Sequence, residues 1–294
     1  MYNLRYHIVS IVSVFLALAL GLVLGGLIGN KTPAAIQSGL IKSVNQAAQK
    51  AREERDQAVA ENTRLTTFGQ DSLALLTKGR LQGKTVLVLG AQGDGNKRVI
   101  DLLGQAGARA VVADLQSDHY SATDKNSATS KLVADLKTRY KQTDDLAALA
   151  AGFSAEWTRA GTTSVTGPGT SGAAARPVTA ALQKDGILTM SGDTGGVLVF
   201  DGVVDVATGS KNTADGLALQ LALAFDRHDV AVIVAQMSGE TSTLGSEGAK
   251  LELSATDLLG TPPGDWTVVA VLGGAEPAIY GTLQGATQAY PPLK

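Results

Sequence analysis

The sequence predicts an α/β domain with a mostly parallel, Rossmann-like sheet, carried behind a single N-terminal transmembrane helix and a helical coiled-coil arm. Three observations predict this. Residues Ile8 to Ile28 form an uncharged, apolar run of 21 residues. Residues Ala34 to Phe68 contain no Pro and a single Gly, Gly39. From Leu81 onward, short apolar runs alternate with segments of helical spacing, the pattern of βαβ units. The chain therefore divides into a cytoplasmic tip and anchor (1–30), an arm (31–70), an α/β domain (81–275) and a C-terminal tail (276–294).

At 1.5 Å rise per residue the apolar run spans roughly 30 Å, the thickness of a bilayer's hydrocarbon core. Within it and just beyond, small residues recur every fourth position: Ser13, Ala17, Gly21, Gly25 and Gly29. They fall on one narrow helical stripe, which lets two helix backbones approach closely where lipid supplies no hydrophobic drive. Small residues are also common in membrane helices generally, so pairing is one of two readings of the stripe. A secretory signal ending at Ala17-Leu18-Ala19 is the alternative to a retained anchor. Cleavage there would leave a ten-residue apolar stub, Leu20 to Gly29, which favours retention. Arg5 and the amino terminus precede the run by so few residues that the charge rule sets the N-terminus inside and the rest extracytoplasmic, with Lys31 weighing mildly against.

Thr32-Pro33 reads as a helix start, with Pro at the first helical position. Leu40, Val44, Ala47, Ala51, Ala58 and Leu65 then recur at heptad spacing. Glu54 and Glu61 interrupt that seam, and buried carboxylates are costly unless paired. A short or loose coiled coil is expected, against the alternative of a solitary solvated stalk.

In the α/β domain, Thr85 to Leu89 is a continuous apolar run typical of a buried parallel strand. Gly90 to Gly95 is a turn, Lys97 to Gly104 a helix, and Arg109 to Asp114 a second strand. Helices are expected over 128–140, 144–159, 176–183 and 213–227. Further strands are expected over 186–190, 197–200, 229–235 and, last, Trp266 to Leu272. Val86–Leu89, Val230–Ala235 and Val268–Leu272, apolar on both faces, should be central neighbours in one sheet. Residues 239–247 and 273–294 show no clear pattern.

Chemistry is sparse. The chain has 44% apolar residues, a formal charge of −2 and no Cys. That composition describes a packed globular domain without disulfides or thiol chemistry, and it argues against a nucleic-acid partner. Gly90, Gly93 and Gly95 form GxxGxG, the wrong order for a dinucleotide turn, with Asp94 placed to repel phosphate. Asp114 ends the second strand where a ribose-binding acid would stand, but a terminal Asp is common there. The turn reads as structural. His7, His119 and His228 are scattered, and Met190 and Met237 fit core packing better than a soft metal site. Asp118, Asp144 and Asp145 offer at most a hard-cation site. Ser154, Ser191 and Ser238 have no evident His partner. The expectation is a non-enzyme with no cofactor of its own.

Leu4-Arg5-Tyr6-His7, Phe15-Leu16-Ala17-Leu18-Ala19, Gly21 and Leu24-Gly25 resemble the opening of the actinobacterial MctB family of copper transporters. Gly83-Lys84-Thr85-Val86, Gly104-Gln105-Ala106-Gly107 and Tyr280-Gly281 extend the resemblance, although the wider glycine setting around Tyr280 is missing. It implies a role in copper transport or homeostasis at the cell envelope. SteB, a related corynebacterial branch of similar layout, implies an envelope partner in cell division. No copper-binding residues carry over. Two classes of function follow. One is a copper transport component. The other is a membrane-bound homodimer or higher homo-oligomer, a scaffold presenting its α/β domain to cell-division or cell-wall partners.

Overall fold

The structure is a computed structural model that describes residues 4–28, 33–90, 93–116, 120, 124–158, 176–192, 199–207, 216–240, 252–283 and 285–293. Two compact units result, Met1–Leu65 and Thr66–Lys294.

In the first unit, α1 runs from Leu4 to Ile28. Its side chains are described from Ile11 to Leu24, and all are exposed. Among the described residues no helix is long and apolar enough to cross a membrane. The second helix, α2, is continuous from Pro33 to Thr77 and so ends in the second unit. Pro33 opens it, where a missing N–H costs nothing.

The second unit is built on a seven-stranded sheet in the order β3-β2-β1-β4-β5-β6-β7. The strands are β1 (Thr85–Leu89), β2 (Arg109–Leu115), β3 (Leu188–Gly192), β4 (Gly202–Ala207), β5 (Ala231–Met237), β6 (Ser254–Leu259) and β7 (Ile279–Tyr280). All neighbours pair in parallel except β2 with β3, which is antiparallel. The helices are α3 (Asp94–Gln105), α4 (Ala128–Tyr140), α5 (Asp145–Glu156), α6 (Pro177–Lys184), α7 (Leu217–Asp226) and α8 (Pro262–Leu272).

Alternation along the strands sorts the core into two layers. Leu87 and Leu89 of β1, with Val203 and Val234, pack beneath α4, α5, α6 and α7. Val86 and Val88, with Val204 and Ile233, pack beneath α3, α8 and the end of α2, where Leu73 joins them with Leu81 of the turn that follows. Both faces are covered, as a parallel sheet requires. One layer contains an aromatic group in which Trp157 stacks on Phe200 at 4.7 Å between ring centroids, Phe225 stands edge-on to Phe200 and to Phe153, and Phe153 is tilted against Trp157.

The structure corrects three expectations. Trp266 to Leu272 is not a strand but the body of α8. Thr261 caps it by accepting from the Gly264 N–H, and Pro262-Pro263 occupy its first turn. The β-branched run hides the helix because nearly every residue in it is buried, so no 3.6-residue pattern shows. Next, Val199-Phe200 are not in a strand; the strand is β4, one turn later, with Asp205 wholly buried in its middle. Residues 197–198 lie outside the described residues. Finally, β1 neighbours β2 and β4, so it and β5 are separated by one strand rather than adjacent.

One ion pair ties the second layer together. Asp265 of α8, fully buried, accepts from Arg98 of α3 and, at 2.8 Å, from the Gly260 N–H. Burial pushes its carboxyl above the ordinary range, and Arg98 and Gly260 pull it part of the way back.

Candidate functional site

Four surfaces compete for a functional role. On α1, Ser13, Ala17 and Gly21 are exposed, and nothing lies within 4 Å of where a Cβ would stand at Gly21. Gly25 lies in α1, but its surroundings, like Gly29 altogether, are outside the described residues. The stripe is thus open as far as it is described.

On α2, Val44, Ala47, Ala51, Ala58 and Leu65 are all exposed, Val44 by 63% and Leu65 by 61%. The side chain of Leu40 is outside the described residues. Each interrupting carboxylate has a base on its own helix. Lys50 Nζ stands 3.8 Å from Glu54 and Arg64 stands 3.8 Å from Glu61. Beyond Leu65, where the expected seam ends, Phe68 and Leu75 are exposed as well, and 65, 68, 72 and 75 continue the alternation of three and four.

The third surface is the carboxyl edge of the sheet between β1 and β4. There the chain, having added β2 and β3 on one side of β1, returns to build on the other. In open α/β sheets ligands collect at such switch points. Here Gly90 has φ +127°, and a Cβ on it would meet the Val206 carbonyl oxygen at 2.8 Å. A Cβ on Gly95 would meet Val206 Cγ1 at 2.8 Å and Met237 at 3.5 Å. Both glycines are therefore required for α3 to pack on the ends of β4 and β5. Asn96 closes the turn by donating to the Gly90 carbonyl at 3.2 Å. Asp94 projects into solvent, 3.6 Å from Lys97. Asp114 is half-buried near the end of β2 and accepts from Gln116.

The fourth comprises two pockets. One, about 590 Å³, lies between α8 and the C-terminal strap and is lined by Arg80, Trp266, Glu276, Pro277 and Tyr280 among others. Arg80 rests over the Trp266 ring at 5.3 Å, and the Tyr280 hydroxyl donates to the Glu276 carbonyl at 2.6 Å. The other, about 240 Å³, is lined by Tyr120, Asp124, Ser127, Thr129 and Asp185. Burial, then the neighbouring Asp145, raises the Tyr120 hydroxyl well above its ordinary value.

The acids and sulfurs named from sequence do not converge. Asp144 caps α5 through the Ala147 N–H at 2.9 Å, and Asp145 is held by Lys137 at 2.8 Å and by Tyr120 at 3.0 Å. Met190 sits on β3 and Met237 at the end of β5. Ser154 is buried and donates to the Ala151 carbonyl; Ser191 and Ser238 are exposed. His228 lies in the turn after α7. Asp118 and His119 are outside the described residues, as is the His7 side chain. Among the described residues no three His, Asp or Glu side chains gather where they could hold a metal ion.

Compared with known families, the chain matches the profile described as "Copper transport outer membrane protein, MctB" over residues 1–291, essentially its whole length. No curated protein matches it.

Proposed function

This chain belongs to the MctB family of copper transport outer membrane proteins, and from that premise we propose a non-enzymatic envelope component of copper transport or homeostasis. Residues 8–28 anchor it as a single pass with the N-terminus inside. The arm pairs two copies, and the α/β domain stands outside the membrane, where it meets other envelope proteins. Copper is cargo in this reading, not a resident cofactor. The observation that carries the reading is the match of a copper transport family over the whole length. The exposed seam of α2 supports the pairing. Because the second unit has its own two-layered core, it can serve as a rigid module on a tether.

The test is copper accumulation in cells lacking the protein, complemented either by the full chain or by an exported form without residues 1–30. The full chain should restore normal copper levels and the untethered form should not. Equal rescue by both, or a mature protein beginning near Leu20 by mass spectrometry, would refute the tether. Titration of Cu(I) into the full chain in detergent separates the two function classes. Micromolar or tighter binding would make the chain itself a copper ligand, and no binding would favour the scaffold.

A further inference from the structure

The two most exposed large apolar side chains described anywhere in the chain are Leu75, at 80%, and Phe68, at 72%. Both exceed every residue described on α1. They sit in the last turns of α2, within the folded second unit. The same turns are docked on the domain through a different face. A Cβ at Gly69 would stand 2.8 Å from Pro262, Leu73 is 5% exposed and Thr77 is fully buried. Phe68 and Leu75, with the half-buried Ser72 between them, thus form a stripe that the domain leaves largely uncovered beside the stripe that it covers.

We propose that this stripe is an interface with a second copy of the chain, in a parallel, in-register coiled coil. The proposal deepens the pairing read above and rests on it, since it gives that pairing its direction, register and C-terminal end. Spacing supplies the first argument. Phe68, Ser72 and Leu75 continue the positions of Val44, Ala47, Ala51, Ala58 and Leu65 without a skipped residue, so one seam serves both. Charge supplies the second. In a parallel pair each core Glu54 meets its counterpart, and Lys50 of its own helix already stands 3.8 Å away. Glu61 is likewise answered by Arg64. The layers that interrupt the apolar seam therefore arrive with their compensating bases, which removes much of the cost of burying them. The small residues Ala47, Ala51 and Ala58 sit around these layers, and the bulky Leu65, Phe68 and Leu75 close the seam next to the domain. Pairing would then be tightest where two rigid domains must be held side by side.

The absence of native Cys makes the test direct. Single substitutions Ser72→Cys, Leu75→Cys, Ala51→Cys and Gln70→Cys are made in the full chain and oxidised in native membranes. Ser72→Cys and Leu75→Cys should link to their own counterparts as strongly as Ala51→Cys. Gln70→Cys, on the outer side of the helix, should link at least tenfold less. Linking at position 51 without linking at 72 and 75 would overturn the proposal and leave arm pairing intact. No linking at any of the three would overturn both. Equal linking at position 70 would mean random collision and would also overturn it. A monomeric chain whose thermal stability falls with Phe68→Ser would assign the stripe to another segment of the same molecule, again against the proposal.

Discussion

Two carboxylates hold helix starts from outside the helices they cap. Asp185 accepts from the Ala128 and Thr129 N–H groups of α4 at 3.1 and 2.7 Å, and from the Thr129 hydroxyl. Glu156 does the same for α6, accepting from Val178 and Thr179 at 2.6 and 2.9 Å. Their titrations diverge. Burial works to raise Asp185, but the bonds from Thr129 and Ala128 prevail and hold it below the ordinary range. At Glu156 burial prevails and raises it. A lowered carboxylate stabilises the fold above its unfolded pKa and loses that contribution as pH falls through the folded value; a raised one stabilises below the unfolded pKa and loses it as pH rises through the folded value. Asp185→Asn should therefore cost about 1 kcal/mol at pH 7, the worth of a helix cap. Its difference from the parent should shrink as pH drops below about 4, where the unfolded chain's carboxylate begins to protonate, and on through the lower value of the folded state. Urea unfolding at pH 7 and pH 3 measures both. A difference that does not change with pH would show that the charge of Asp185 is immaterial. Neither cap was legible in the sequence, because each joins residues more than twenty positions apart.

At the scale of elements, what the sequence disclosed depended on how each element meets solvent. The helix α3 was readable because Val99, Leu102 and Leu103 are buried while Asp101 on the next face is exposed. Strand β1 was readable as an unbroken apolar run. The helix α8 lacks a solvent face, so its composition pointed to a strand, and only Thr261-Pro262-Pro263 carried the contrary signal. Strand β4 was displaced because Asp205, wholly buried, breaks the run that would have marked it. The candidate site fared similarly. An expected seam could be drawn on α2 as far as Leu65, but the exposure of Phe68 and Leu75 belongs to the folded unit alone. For α1 the expected outcome concerns Gly21 and Gly25. If the stripe packs against a second copy in a membrane, Gly21→Ile with Gly25→Ile should weaken association by ~1–2 kcal/mol. Crosslinking yields equal to the parent's would show that the stripe does not pack.

For the whole molecule, stability is concentrated in the sheet that the two helical layers enclose. Leu87, fully buried, points from the centre of that sheet into the larger core layer. Leu87→Asp would bury a carboxylate without a partner. The cost is several kcal/mol, a large share of the 5–15 kcal/mol that holds a typical domain together. Loss of the cooperative thermal transition in circular dichroism is expected, and a transition near the parent's would contradict the strand order. Asp94→Ala, at a side chain 94% exposed, should leave that transition unchanged. The Glu156 clamp has a consequence of another kind. It holds the end of α5 against the start of α6, while the Trp157 carbonyl is fixed by the Phe200 N–H at 2.9 Å. Whatever length of chain passes between Trp157 and Arg176, its two ends are pinned by the fold itself. The fold thus carries its own staple at this point, one that fastens α5 to α6 from the described residues alone.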